Sequence, residues 1–378
     1  MNTRRFSMSK AAELAALIAN VNKGSSLASK NLIINGGMTV AQRSTSEASK
    51  TTVDGYVCLD RWSIQTGSVG TFTHSQSSDV PAGYGFSNSV KFDCTTADAS
   101  PDYGLIRQRF EGQNLQVLNK GTSSAVPVTL SFWVKSNLTG NFQVNLQDID
   151  TSGSRHIGAT YSISSANTWE KKEITFAGDT TGALDNDSAC SFNIEWWLAA
   201  GSTYNSGSVP TSWAAESNAN RAAGLNVSIG SSTDNEFYLT GVQFEIGEKA
   251  TEFEHESYEA TLEKCHRYYE AHTLNSYTNI GFSYSTTQFI IPYHWKVEKR
   301  NSPTFSFPTV GTSSGNLGVT VGTGSYPSTH GSVLRGSAQP TQGYIYNNAG
   351  DGYAGLTDDQ ICILYGYNAP ILALDAEL

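Results

Sequence analysis

The stretch 190-CSFNIEWWL-198 decides the fold. Cys190, Phe192, Ile194, Trp196 and Leu198 recur at every second position, with Ser191, Asn193, Glu195 and Trp197 between them. Successive side chains of an extended strand point to opposite faces, so this period of two gathers the first set on one side. The same alternation runs through 129-TLSFWVKS-136, where Leu130, Phe132 and Val134 oppose Ser131, Trp133 and Lys135. It returns in 141-NFQVNLQ-147, in 172-KEITF-176 and from Phe237 to Ile246. Half-buried strands separated by Gly, Ser, Asn and Asp turns predict two antiparallel sheets packed face to face. Roughly ten such segments between residues 31 and 250 predict a jelly roll.

Composition agrees. Of 378 residues only 15% are charged and 11% are aromatic, a balance that suits pleated surfaces and tight turns. The length suggests two or three domains. Lys plus Arg number 24 against 34 Asp plus Glu, a net charge of −10 with no basic stripe, which excludes a nucleic-acid partner. No apolar run approaches a membrane span, so no membrane insertion is expected. The five cysteines, Cys58, Cys94, Cys190, Cys265 and Cys362, are scattered and read as buried free thiols made in a reducing compartment.

Three regions follow. Residues 1–30 carry one amphipathic helix, 8-MSKAAELAALIANV-21, capped by Ser7 or Ser9 and followed by Gly24. Met8, Ala11, Leu14, Ala15, Leu17, Ile18 and Val21 form its apolar stripe. A helix this short needs a surface to lie on. That surface is either the chain's own body or a partner, and the Gly24-Ser25-Ser26 joint favours a partner. Residues 31–258 form the sandwich, opening on 31-NLIINGGMTVAQRST-45, where two strand-like pieces flank Asn35-Gly36-Gly37. Residues 259–378 form a smaller C-terminal β-domain behind a connector helix in 256-ESYEATLEKCHRYYEAH-272. Its β-rich segments include 286-TTQFIIPYHW-295 and 360-QICILYGYNAPILALDAEL-378. The predicted fold class is therefore mainly β: an antiparallel jelly-roll sandwich, a short helix before it and a smaller β-domain after it.

Catalytic patterns are missing. None of the seven histidines stands in an HxH or HExxH spacing, and His266 and His272 fall on different faces of the expected helix. There is no GxSxG elbow, and 311-GTSSGNLGVTVGTG-324 lacks the GK[ST] ending of a phosphate loop. Asp148 with Asp150 and Glu252 with Glu254 read as solvated strand and turn positions, so no catalytic residue is named and no enzyme is expected. What stands out is aromatic. Trp133 and Trp197 occupy the polar side of their strands, while Tyr204 and Trp213 lie in the loop-like 200-AGSTYNSGSVPTSWAAESN-218. Each is a candidate for sugar stacking or for contact with another subunit. Tyr293, Trp295, Tyr344 and Tyr346 are the corresponding candidates in the C-terminal region, with core packing as the alternative.

Residues 31-NLIINGGMTVAQRST-45 followed by 59-LDRWSI-64 resemble the start of the carbohydrate-module-like jelly roll found in bacteriophage tail fibres and related virion proteins. The likeness extends to 239-LTGVQFEIGEKATEFEHESYEATLEKCHRYYE-270, through a final strand, Thr251, Phe253 and Glu254, and then Cys265, Arg267, Tyr268 and Tyr269. The block 291-IPYHWKVEKRNSPTFSF-307 is similar to a Pro-x-x-x-x-Met-Arg-x-x-Pro-Thr segment, with Val297 at the Met position and Lys299 and Arg300 carrying the charge. The ending 375-DAEL-378 is similar to termini of marine phage fibre proteins. The resemblance spans residue 31 to about 308, and it departs from fibres that begin in long coiled coils, because residues 1–30 are short. It implies a virion protein, a compact tail fibre or receptor-binding subunit assembled in the host cytoplasm. Its partners would be copies of itself in a homotrimer, a tail or baseplate protein held by residues 1–24, and host cell-surface glycan. It also implies a structural calcium, for which Glu245 is the candidate ligand, and no other cofactor. A tail or capsid adaptor or decoration protein is the alternative, followed by a glycan depolymerase.

Overall fold

The structure is a computed structural model that describes residues 30–50, 53–98, 100–152, 154–273, 279–306, 317–321, 324–327, 335–347, 356, 360–366 and 371–378. The expected N-terminal helix and its stripe, Met8 to Val21, lie outside the described residues. Two compact units are present. The first takes residues up to Thr39, Ser46–Gly55 and Ser63–Glu256; the second takes Val40–Thr45, Tyr56–Trp62 and Ser257–Leu378. A single cut after residue 258 thus leaves out two short segments that belong with the C-terminal part.

The first unit is the sandwich. In chain order its strands are β1 (Ser46–Lys50), β2 (Val53–Gly55), β3 (Ser63–Gly67), β4 (Thr71–Ser77), β5 (Ser89–Thr96), β6 (Tyr103–Glu111) and β7 (Val128–Ser136). They continue with β8 (Gly140–Asp148), β9 (Arg155–Ile163), β10 (Glu170–Phe176), β11 (Cys190–Ala200), β12 (Ala214–Ala215) and β13 (Glu236–Ile246). One sheet runs β1-β4-β5-β13-β7-β10 and the other β12-β9-β8-β11-β6-β3-β2, with antiparallel neighbours throughout. The predicted mainly β, antiparallel jelly-roll class is what the chain adopts.

Alternation sets the interior as expected. Leu130, Phe132 and Val134 of β7 are fully buried, as are Phe142, Val144 and Leu146 of β8 and Ile194 and Trp196 of β11. The two layers meet through aromatic edges: Phe132 stands perpendicular to Trp196 at 5.9 Å, and Phe142 lies 5.6 Å from Phe237. Such offset and edge-on pairs add to the apolar area they bury.

The opening stretch is where the expectation fails. Residues 31–45 contain no strand. Asn35 (φ 60°) and Met38 (φ 57°) are left-handed, which breaks the extended run. The chain instead lies along β13, Leu32 N donating to Phe244 O at 2.9 Å and Val242 N to Gly36 O at 3.0 Å. A buried side chain replaces a strand neighbour on the other side. Gln108 accepts from Ile34 N (2.8 Å) and donates to Ile34 O (2.9 Å), so its amide satisfies a backbone that no ladder reaches. Gly36 is required here, since a Cβ would sit 2.2 Å from Val242 O.

In the second unit Ser257 caps the helix Tyr258–His266, accepting from Ala260 N at 3.2 Å. The helix is shorter than expected. It ends at His266, and from Tyr269 to Thr273 the chain is a strand paired with Ile371–Asp375, so His266 and His272 stand on different elements. A seven-stranded sheet packs Phe289, Ile291, Ile345, Cys362 and Leu364 against Leu372 and Leu374.

Widely separated stretches, Val40–Thr45, Tyr56–Trp62 and the chain from Ser257 onward, come together in this unit. Arg61 is 1% exposed, pairs with Glu377 and lies 3.5 Å over the Tyr268 ring. Arg43 stacks 3.6 Å over Tyr269 and reaches Asp375 at 3.0 Å and Glu377 at 3.5 Å. Arg300 donates to the carbonyls of Ala376 (2.8 Å) and Glu377 (2.7 Å). Asp60 is fully buried, and burial pushes its carboxyl up to about 6 despite Arg43 nearby and two bonds from Gln42.

One core histidine gives the first unit a pH dependence. His74 of β4 packs edge-on against Phe92 at 3.9 Å, and burial, with Lys50 near it, holds its imidazole down to about 3. The folded state therefore keeps it neutral where the unfolded chain, near 6.5, takes up a proton. Stability falls as pH drops from about 6.5 towards 3, by up to about 1.4 kcal/mol per pH unit. We expect His74→Leu to lose about 2 kcal/mol less than the wild type between pH 6.5 and 5, read by urea denaturation. Parallel curves for the two proteins would refute the neutral buried histidine.

Candidate functional site

The outer face of the seven-stranded sandwich sheet is built of amides and closed by the chain itself. Gln143, Asn145 and Gln147 project from β8, and Asn193, Glu195 and Trp197 from β11. The segment after β11 folds back over them. Gln143 donates to Asn220 O (3.0 Å) and accepts from Gly224 N (2.7 Å), while Asn145 donates to Arg221 O (2.6 Å). Gln147 reaches Glu216 and Arg221 pairs with Glu195, both at 2.6 Å. Trp197 is thereby sealed. It is 0% exposed, with Tyr204 at 5.2 Å and the Arg221 guanidinium 5.1 Å above its ring. Trp197 lies on the predicted side of its strand, yet it is no contact residue. Tyr204, half-buried, spends its ring on Trp197 and Tyr103.

Trp213 closes one end of the interior. Its Nε1 donates to Ala177 O at 2.8 Å, and its ring packs near Phe192 and under the Lys120 ammonium at 4.8 Å. Lys120 is the centre of an oxygen cage of Asp148, Asp179 Oδ2 (3.0 Å) and Gly182 O (2.8 Å). Asp148, expected in solvent, is fully buried there. Burial would raise the Asp179 carboxyl, but bonds from Arg155, Thr181 N and Lys120 hold it down to about 2. A lysine ammonium thus serves as the cation of this cage. Removing it leaves two buried carboxylates short of counter-charge, so Lys120→Ala should cost about 3–5 kcal/mol in urea denaturation. A loss under about 1 kcal/mol would show that the cage does not depend on it.

Glu245, the candidate calcium ligand, is 4% exposed and engaged by protein donors. It accepts from Gln243 Nε2, Thr251 N and Thr251 Oγ1, each at 2.8 Å. Among the described residues no group of three or more acidic, histidine or cysteine side chains is arranged to hold a metal.

Trp133 has a different environment. It stands half-buried on the outer face of β7, between Thr240 of β13 and Lys171 of β10. Tyr84 lies beside it, 51% exposed, with ring centroids 4.3 Å apart and planes tilted by 49°. Tyr84 is presented between Gly83 (φ 85°) and Gly85 (φ 77°), a turn that other residues enter at a cost. Gly241 (φ 59°) leaves room underneath, since a Cβ there would come within 2.5 Å of Phe86 and 3.0 Å of Trp133. Phe86, Phe253 and His255 extend the patch at ring distances of 4.9–5.2 Å. The arrangement offers an apolar shelf with an exposed cation, Lys171, on the neighbouring strand. Tyr84 was not among the expected residues; an aromatic flanked by glycines in 81-PAGYGFSN-88 was the available signal.

In the second unit Trp295 belongs to the core, 8% exposed with Nε1 bonded to Gln339 O at 2.9 Å. Tyr293 is half-buried between His272 and Trp295. Tyr344, 39% exposed, and Tyr346 sit 5.6 Å apart on the sheet's outer face.

No family model matches the chain, and no curated protein matches it. Among solved structures, the enzymatically active domain of bacteriophage CBA120 tailspike protein 4 is similar at 14% identity and a TM-score of 0.31. That likeness covers 58% of this chain and 22% of the tailspike chain. A putative sugar binding protein from Bacteroides thetaiotaomicron is similar at 12% identity and a TM-score of 0.34, covering 57% of this chain and 100% of that one. A family 11 carbohydrate-binding module from Clostridium thermocellum is similar at 14% identity and 0.27, covering 56% and 99%. At this level of similarity the fold rests on the strand registers themselves.

Proposed function

We propose that this chain is a non-enzymatic virion protein, a compact phage tail fibre or receptor-binding subunit whose sandwich contacts host surface glycan. The observation that carries the glycan reading is the shelf of Trp133 and Tyr84. Of the four sandwich aromatics named from the sequence, Trp197 is sealed, and Tyr204 and Trp213 are engaged within the fold. Trp133 keeps an exposed aromatic partner. A sugar ring presents apolar C–H faces that stack on such a surface, while its hydroxyls bond to polar neighbours. The virion setting is supported by the resemblance over residues 31–308. In this reading three copies assemble, and residues 1–24 dock an apolar helical stripe on a tail or baseplate protein, so that repetition multiplies weak contacts.

Trp133→Ala and Tyr84→Ala should each weaken binding to host surface polysaccharide by about tenfold, read by glycan array or calorimetry on folded protein. Unchanged binding in both would remove the shelf as the site, and absence of glycan binding in the wild type would favour a structural adaptor. Release of reducing ends from the same polysaccharide would instead make the chain a depolymerase.

Deleting residues 1–24 should leave a folded, soluble protein that no longer joins virions, scored by particle composition. If the truncated protein unfolds, the helix belongs to the core.

A further inference from the structure

Among the described side chains, the central strands of the second unit's seven-stranded sheet carry large apolar groups on both faces. Phe289, Ile291, Ile345, Cys362 and Leu364 are 0% exposed on its inner side. On the other side Ile280 (58%), Phe282 (55%), Tyr284 (45%), Ile361 (61%) and Tyr344 (39%) stand exposed, five of the eight large hydrophobic side chains exposed among the described residues. The registers set two of them, Phe282 and Ile361, in one row. Phe282 is opposite Ile361 on one side and Ile290 on the other, and Ile290 is opposite Tyr346, so one apolar row crosses four strands. A continuous run such as Ile361-Cys362-Ile363-Leu364 is what a strand covered on both faces carries.

We propose that this face is the self-association surface of the protein, and that its occupant is a second copy of the same chain. Charge permits that occupant. Each copy carries −10, so two copies repel one another wherever carboxylates would meet. The row Ile361, Phe282, Ile290, Tyr346 has no carboxylate, and the next position across, Arg335, ends it in a cation, so like-charged copies meet there without opposing carboxylates. Area supports it as well. Five large side chains at roughly half exposure present on the order of 450 Å² of apolar surface. That is more than half of the ~800 Å² each partner contributes to a standard interface, and it matches the apolar centre of a homo-oligomeric one. Sheet faces of this kind pack about 10 Å apart with interdigitating side chains.

The inference does not rest on the glycan reading. It is tested by sedimentation velocity of the full chain, wild type against Phe282→Glu and Ile361→Glu. The wild type should sediment as an oligomer at about 10 µM, and each variant as a monomer with unchanged circular dichroism, its association weakened at least about 100-fold. Both positions are more than half exposed, which keeps the cost to folding small. Should a Glu variant misfold, the Phe282→Ser, Ile361→Ser double variant reads the same equilibrium with a smaller shift in the same direction. A wild type that stays monomeric up to about 100 µM, or an oligomer that survives the substitutions, overturns the proposal. Trp133→Ala should leave the sedimentation profile unchanged, which separates failure of this surface from failure of the glycan site.

Discussion

Two arginines that have left water hold the second unit together. Arg61 and Arg43 each lie over a tyrosine ring and each pair with carboxylates among residues 375–378, and Arg300 binds the carbonyls beside them. Taking a guanidinium out of water is unfavourable by several kcal/mol unless both its charge and its donors are answered. Here the ring answers the face and the carboxylates answer the edge. Arg43, Arg61 and Arg300 stand against Asp60, Asp375 and Glu377, so the cluster is neutral as a set. Asp60 is the member that burial strains most, which is why its carboxyl is pushed upward. Helix, strand Tyr269–Thr273 and the segments 40–45 and 56–62 are all placed by these bonds.

The sandwich solves a related problem without charge. Its seven-stranded sheet presents a ladder of glutamine and asparagine side chains outward, and a later segment lies across them with matching carbonyls and amides. Each buried amide left unpaired would cost about 1–3 kcal/mol, so the ladder and its cover specify one another. The consequence for recognition is a division of labour between faces. One sheet spends its outer surface on the chain, while the other keeps Trp133 and Tyr84 towards solvent.

The strands around 129–136, 141–147, 172–176, 190–198 and 237–246, and the parity of each, were legible in the sequence because they are set by neighbours two residues apart. Parity says which side of a sheet Trp197 faces; it does not say what covers that side, and so a sealed side chain looked like a contact residue. Asp148 was misplaced for the same reason, since Lys120 and Gly182 approach from distant parts of the chain. The opening stretch read as strand because its residues are apolar, and only the left-handed Asn35 and Met38, with Gln108 acting as a surrogate neighbour, explain why it is not. Of the site, Trp133 was legible and Tyr84 was not, because their pairing depends on a loop folding across a sheet.

The partners of Arg43 lie 332 and 334 positions further along the chain. At the usual pace of a ribosome, about 5–20 residues per second, roughly 20–60 s pass between the emergence of one and of the others. Through that interval the strands of the sandwich are already outside and able to pair, whereas Arg43 and Arg61 lack their carboxylate partners Asp375 and Glu377. Closure of this arginine cluster is thus a late event that waits for Asp375 and Glu377.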